Sequence, residues 1–268
     1  MHGTGLDREG FIEREGELAR VQQAFAPVVE AARAAILSAF SLDRLHSGYL
    51  YGSVPRGAAV PGTSDLDVLL ALHDEPTDAG RTTATYLEND LDAGFPQING
   101  AGILLYSTAA LLSDIERHDL GWFVACLCTP LIGEDLASRL PRYRPTSLLA
   151  RETNGDLGDL LPRWRDRLGE ARTDTSLHVL GRGVGRRLVR TGFTLVMPRW
   201  GGWTSDLDES ATVFGRYYPA RRDQMQAAAA VARTPAADSS VLGMLIDDLG
   251  PWLAAEYGAV HGRKTPRR

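Results

Sequence analysis

The pattern of apolar and polar positions divides the chain into a mixed first half and a helical second half. Apolar residues recur every three to four positions over residues 27–40 and 82–92, which predicts two amphipathic helices. Short apolar runs at 49–51, 65–72 and 103–106 predict strands. Helices that alternate with short strands predict an α/β (α+β) fold built on a small mixed sheet.

Beyond a proline-flanked basic stretch at 141–145, the pattern is almost entirely helical and predicts a helical bundle. The predicted helices there cover residues 157–168, 176–197, 205–217, 221–233 and 239–257. The pattern is also helical from Phe11, and the basic residues after Gly262 are expected to fray. The predicted domains are an N-terminal helical extension at 1–26, an α/β domain at 27–140 and a C-terminal helical domain at 146–260.

Composition narrows the class of protein without naming a function. The 268 residues carry a net charge of −5, so no overall positive field favours nucleic acid. Cys126 and Cys128 stand in an apolar run at a spacing that suits neither a zinc site nor a redox pair, which predicts buried free thiols. No signal peptide and no membrane-spanning run is apparent, so we expect a cytoplasmic protein.

Candidate chemistry is concentrated between the first two predicted strands. The first strand ends at Gly52-Ser53, where a glycine lets backbone amides approach a phosphate and the serine adds a donor. Asp65 and Asp67 stand at alternate positions of the second strand and therefore share a face. Two carboxylates on one face, with substrate phosphates, suit Mg²⁺.

These residues resemble the motif of nucleotidyltransferases of the DNA polymerase β superfamily. The chain has Tyr51-Gly52-Ser53, eleven intervening residues and then Asp65-Leu66-Asp67-Val68. Arg56-Gly57 and Ser64 are also similar to the small bacterial members, which include antibiotic nucleotidyltransferases and uncharacterised relatives. The alternative, without a function, is that these residues form a solvated surface hairpin. Residues 68–72 are all apolar, however, which indicates that Asp67 belongs to a buried strand.

The resemblance implies a metal-dependent enzyme that moves a nucleoside monophosphate from a nucleoside triphosphate, ATP by expectation, to an acceptor hydroxyl with release of pyrophosphate. Asp65 and Asp67 are the expected catalytic residues and ligands of Mg²⁺ or Mn²⁺. The residues expected to bind nucleotide are Gly52, Ser53, Arg56, Ser64, Arg186 and Arg190. The expected acceptor is a hydroxyl of a small molecule or of some other, unidentified compound. Neither a membrane nor a nucleic acid is expected as a partner.

Arg186 and Arg190 enter this set because they share a helix face with Arg182, beside Arg187. No Asp or Glu occurs between Asp174 and Asp206, so the stripe has no acid nearby in sequence. It can receive a triphosphate or an anionic acceptor. Alternatively, it is a solvated helix face or pairs with acids from elsewhere in the chain.

One departure from the superfamily pattern leaves the function open. Relatives carry a third acid on the next strand, as a metal ligand or general base, and its place here falls at Gly102. Asn99, just upstream, can offer only an amide oxygen. The acids considered as replacements are Asp90, Asp92, Glu134 and Asp135. Without one, the chain is a slow enzyme or a nucleotide-binding sensor; a transferase acting on a partner protein or RNA is a third alternative.

Overall fold

A four-stranded mixed sheet forms the centre of the first of two units. The computed structural model describes residues 5–234 and 238–267. One unit, the sheet unit, is Glu13–Tyr143, and the other, the helical unit, comprises residues 5–12 and 144–267. The expected domains at 1–26, 27–140 and 146–260 stay predictions, and residues 1–4 and 235–237 of those ranges lie outside the described residues.

The sheet unit contains four strands and four short or medium helices. Its strands are β1 (Leu45–Tyr51), β2 (Leu66–Leu72), β3 (Ala101–Ser107) and β4 (Thr129–Gly133). Its helices are α1 (Ala26–Ala39), α2 (Asp78–Gly94), α3 (Thr108–Leu111) and α4 (Leu120–Trp122), the last continued by a π-helical turn at Phe123–Leu127. Single 3-10 turns lie at Leu18–Arg20 and Leu136–Arg139.

The strands are ordered β3-β2-β1-β4. β1 is antiparallel to both β2 and β4, whereas β2 and β3 are parallel. Alternate side chains of β2 enter two separate cores: Val68 and Leu70 pack with residues of α1 and α2, and Leu69 and Ala71 pack with residues of the segment 111–136. Period-two alternation therefore gives β2 two buried faces.

The helix expected from Phe11 does not form. Residues 11–25 contain a bridge between Ile12 and Leu6 and a single 3-10 turn at Leu18–Arg20. The backbone amide of Glu15 donates to Cys126 O at 3.0 Å, and that of Glu17 donates to Pro55 O at 2.9 Å. These backbone amides donate to distant parts of the sheet unit instead of to a helix. Tertiary contacts therefore override the local helical pattern.

The helical unit contains seven α-helices in its described part. They are α5 (Ser147–Asn154), α6 (Leu157–Glu170), α7 (Asp174–Trp200), α8 (Leu207–Tyr217), α9 (Arg222–Arg233), α10 (Ser239–Met244) and α11 (Gly250–His261). A π-helical turn at Leu245–Leu249 joins the last two, and a 3-10 turn, Pro219–Arg221, precedes α9. The sequence pattern missed α5, and α7 continues past Pro198 to Trp200.

The basic end of the chain is held by acids instead of fraying. Arg263 pairs with Asp159 at 2.7 Å, and Arg267 pairs with Glu152 at 3.1 Å. The amide of Lys264 also donates to Gly155 O at 3.2 Å. Complementary charge on α5 and α6 therefore fixes a tail that its composition alone would leave loose.

The expected fold class is confirmed, because a small mixed sheet with flanking helices is followed by a helical region. Cys126 and Cys128 are free and buried, as predicted. Burial raises the pKa of the Cys126 thiol to about 12, and it raises the pKa of Cys128 well above the ordinary value. Within the described residues, no helix is both long and apolar enough to cross a bilayer.

Candidate functional site

The turn after β1 brings Gly52 against Asp67. Gly52 has φ +81°, a conformation that side chains disfavour. A Cβ built there would stand 2.6 Å from Asp67 Oδ2, so the carboxylate occupies the space that a side chain would need. Tyr51 pairs with Asp67 across the β1–β2 ladder, which explains the proximity. The phosphate-loop candidate and one candidate metal ligand thus share one end of the sheet.

Asp65 immediately precedes β2, and Asp67 is the second residue of that strand. Val68 and Leu70 point into the core beneath α1 and α2, so the alternating acids face the other side of the sheet, as Leu69 does. Asn99 Nδ2 donates to Asp65 Oδ1 at 3.3 Å. This bond turns the amide nitrogen of Asn99, not its oxygen, toward the acid.

Gly102 occupies the neighbouring position on β3. It is paired with Asp67 in the parallel ladder, so a side chain there would share the face of the two acids. A Cβ at Gly102 would stand 3.7 Å from Asp67 Oδ1, which is ordinary van der Waals contact. The position therefore has room for a Cβ beside Asp67, yet the sequence has glycine there.

Two of the four acids considered as replacements lie toward the far end of the sheet. Glu134 and Asp135 follow β4, whose Gly133 pairs with Ser47 at the opposite end of β1 from Gly52. Asp135 is also engaged by Arg14 at 2.7 Å.

The other two candidates, Asp90 and Asp92, lie exposed on α2, which packs on the opposite face of the sheet. Asp92 Oδ1 accepts from the amide of Ala101 at 2.6 Å, at the outer edge of β3. These four carboxylates therefore have structural or surface positions.

Two other acids lie on the side of the sheet that carries Gly102. Tyr106 is on the same face of β3 as Gly102, since the two are four positions apart. Burial raises the pKa of Tyr106, and the carboxylates of Asp119 and Glu116 raise it further. Both acids lie in the irregular segment before α4.

Ser64 and Arg56 both make bonds within the loop between β1 and β2. Ser64 Oγ accepts from the amide of Val60 at 2.9 Å. Arg56 Nε donates to Gly52 O at 2.9 Å, and its Nη1 lies 3.7 Å from Glu15 Oε2. Residues 53–57 form turns. Ser53, half-buried, follows Gly52 directly, and its carbonyl accepts from the amide of Ala58 at 3.0 Å.

Arg186 and Arg190 belong to α7 of the helical unit, where Arg186 is half-buried and Arg190 is exposed. Their neighbour Arg187 forms an ion pair with Asp156, the residue before α6. The acid that the sequence lacks between 174 and 206 is thus supplied to Arg187 by an earlier segment of the same unit.

The carboxylates of Asp65 and Asp67 are too few to complete the shell of a metal ion, and the phosphates of a substrate would supply further oxygen ligands. Within residues 5–234 and 238–267, no group of three or more His, Cys, Asp or Glu side chains is arranged to hold an ion. Asp65 and Asp67 offer two carboxylates on one face, and Mg²⁺ commonly takes one or two protein carboxylates and completes its shell with water and phosphate oxygens. The residues present fit Mg²⁺ or Mn²⁺ brought in with a triphosphate.

No family model matches the chain, and no curated protein matches it. Among solved structures, the chain is similar to the spectinomycin adenyltransferase AAD(9) from Enterococcus faecialis, solved with ATP and spectinomycin. The two chains are 12% identical with a TM-score of 0.55, and the match covers 86% of this chain and 98% of the other. At this identity the likeness establishes the fold alone, a mixed α/β unit followed by a helical region.

Proposed function

We propose that the chain is a nucleotidyltransferase that uses a nucleoside triphosphate, ATP in the first instance, to modify an acceptor hydroxyl. The observation that carries the proposal is the close approach of Gly52 and Asp67 at the end of the sheet, with Asp65 immediately before the same strand. The fold shared with an adenyltransferase solved with ATP and a small-molecule acceptor supports the same reaction class.

In this reaction an acceptor oxygen attacks the α-phosphorus of the triphosphate. The bond from that phosphorus to the bridging oxygen breaks, pyrophosphate leaves, and the hydroxyl proton passes to solvent. The amide and hydroxyl of Ser53 would donate to the triphosphate, and Gly52 lets the backbone approach it. Mg²⁺ or Mn²⁺ held by Asp65 and Asp67 would neutralise phosphate charge and lower the pKa of the acceptor.

The remaining proposed roles rest on the sequence. We assign Arg186 and Arg190 to the phosphates or an anionic acceptor, and Ser64 to the loop that frames the nucleotide. A small molecule is the proposed acceptor class, because the structural neighbour was solved with one. A cytoplasmic location stays a prediction.

The first experiment measures ATP binding by calorimetry with and without Mg²⁺. Asp65→Asn and Asp67→Asn should each abolish Mg²⁺-dependent binding while the protein stays folded, because a neutral amide cannot replace a charged metal ligand. Asp90→Asn is the matched control, since Asp90 is an exposed acid of the same unit on α2. Wild-type affinity in either of the first two variants would refute the assigned metal site.

A second candidate function, a nucleotide sensor without turnover, is favoured by one observation, the glycine at position 102 beside Asp67. Gly102→Asp and Gly102→Glu distinguish the two. A general base contributes roughly 10²–10⁴-fold, so a transferase that lacks one should release pyrophosphate faster in one of these variants. A sensor should bind ATP but release no pyrophosphate with any acceptor, in the wild type or in either variant.

A further inference from the structure

The guanidinium of Arg56 lies between the Gly52 carbonyl and Glu15. Nε donates to Gly52 O at 2.9 Å, while Nη1 is 3.7 Å from Glu15 Oε2. Both side chains are largely sheltered, with 29% of the Arg56 and 15% of the Glu15 side-chain surface exposed. Because both contacts of this arginine are to its own unit, its side chain is suited to holding the loop in place rather than to moving with a bound ligand.

The bond to Gly52 has a direct consequence for Ser53. The Gly52 carbonyl and the Ser53 amide belong to one planar trans peptide, in which C=O and N–H point in opposite directions. Fixing the carbonyl therefore also fixes the direction of the Ser53 N–H. That N–H is the group assigned above to the triphosphate, so the side chain of Arg56 acts on it through the backbone.

The segment that carries Glu15 is itself anchored at several points. Here residues 13–20 are called the bracing segment. Its Arg14 pairs with Asp135 through Nη1 and Nη2, at 2.7 and 3.1 Å. The amide of Glu15 donates to Cys126 O, and the amide of Glu17 donates to Pro55 O beside Arg56. Glu15 therefore approaches Arg56 from a fixed backbone, which lowers the entropy cost of holding the pair.

We propose that Glu15 and Arg56 are positioning residues that hold the Gly52-Ser53 turn in the shape that binds triphosphate. The proposal rests on the proposed function for its ligand. The shape of the turn, however, is a property of the free protein and is measurable without any nucleotide.

The first test is hydrogen–deuterium exchange of peptides covering residues 52–58 in the ligand-free chain. Glu15→Gln and Arg56→Gln should each speed exchange there by about 2- to 10-fold, the range expected for one lost hydrogen bond. Glu13→Gln is the control, because Glu13 is an exposed acid of the same bracing segment. Unchanged exchange in both test variants would overturn the proposal.

The second test is calorimetric titration with ATP and Mg²⁺. Glu15→Gln and Arg56→Gln should weaken binding by similar factors of about 2 to 10, and the double variant should lose little more than the worse single variant. Arg56→Lys should resemble Arg56→Gln, since lysine keeps the charge but lacks the planar guanidinium that reaches Gly52 O. The kcat at saturating ATP should change less than the KM.

A direct phosphate contact by Arg56 gives a different pattern. Arg56→Gln would then weaken binding far more than Glu15→Gln, Arg56→Lys would retain most of the affinity, and Glu15→Gln would leave binding intact or tighten it. Any of these results overturns the positioning role. If exchange in residues 52–58 responds as expected but the wild type binds no triphosphate, the proposed function fails while the bracing of the turn stands.

Discussion

At the scale of single residues, Gly52 meets two separate requirements. Its φ of +81° penalises any side chain, and a Cβ would also stand 2.6 Å from Asp67 Oδ2. Gly62, in the same long loop, has a similar φ of +71° but nothing within 4 Å of its Cβ position. Comparing substitutions at the two glycines therefore distinguishes the free-energy cost of placing a side chain at positive φ from the cost of displacing Asp67.

We expect Gly62→Ala to lower the free energy of unfolding by about 1 kcal/mol, because it places alanine at positive φ. Gly52→Ala should lower it at least as much, because the same backbone cost applies and Asp67 must also move. Gly52→Ala alone should also lose Mg²⁺-dependent ATP binding, since its methyl group must displace Asp67. Chemical denaturation and calorimetric titration measure the two effects. Equal ATP affinity in the two variants would contradict the role of the contact with Asp67.

At the scale of elements, α2 protects the outer edge of β3. An edge strand presents unpaired amides that can recruit another chain. Here Glu88 Oε1 accepts from the amide of Ile103 at 2.6 Å, and Asp92 Oδ1 accepts from that of Ala101 at 2.6 Å. Two carboxylates one turn apart on α2 thus accept hydrogen bonds from alternate amides along β3. Their negative charge also disfavours the pairing of a strand from another chain with this edge.

The double variant Glu88→Ala, Asp92→Ala should expose these amides. We expect a loss of about 1–3 kcal/mol in the free energy of unfolding, faster hydrogen exchange at Ala101 and Ile103, and concentration-dependent association in light scattering. Asp90→Ala removes a neighbouring exposed acid of α2 and serves as the control. A monomeric double variant with slow exchange at both positions would show that the edge is protected by other means.

The elements that sequence reasoning recovered are those with strong local patterns. β2 has a continuous apolar run and α1 an apolar stripe. Ser107 is a typical N-cap residue, and it caps α3 by accepting from Ala110 N at 3.0 Å. β4 was missed because five residues that include Pro130 carry no clear alternation, and the strand exists through its pairing with β1. The same limit applies to the site, where the partnership of Arg56 with Glu15 depends on chain segments far apart in sequence.

At the scale of the whole molecule, the end of the chain is tied into the helical unit through Glu152. This side chain is 7% exposed and accepts from Arg151, Thr265 and Arg267. Burial alone would raise the pKa of Glu152, but the hydrogen bonds from Arg151, Arg267 and Thr265 outweigh it, and the pKa is lowered. The buried carboxylate therefore binds the tail in its charged form.

Arg267→Gln should lower the free energy of unfolding at pH 7 by about 1–3 kcal/mol, because it removes a charged partner from a buried carboxylate. Since the folded-state pKa is lowered, this stability is present above the unfolded value of about 4.3 and is lost as the pH falls through the folded value. The difference between wild type and variant should thus shrink in acid. Denaturant unfolding from pH 3 to pH 7 measures it.

Arg263→Gln is the control for this prediction. Arg263 and its partner Asp159 are 76% and 62% exposed, so their pair should contribute no more than about 0.5 kcal/mol. An equal loss in both variants, or a loss in Arg267→Gln that does not depend on pH, would show that the charge of Glu152 is not what holds the tail.

The open position beside Asp67 also has a genetic consequence. Every glycine codon becomes an aspartate or a glutamate codon when its middle base changes from G to A. Gly102 has room for a Cβ at 3.7 Å from Asp67 Oδ1, so such a change meets no steric obstacle at that atom. The gene is therefore one nucleotide substitution away from a third carboxylate at this site, and a point-mutant library under selection for faster transfer would sample it directly.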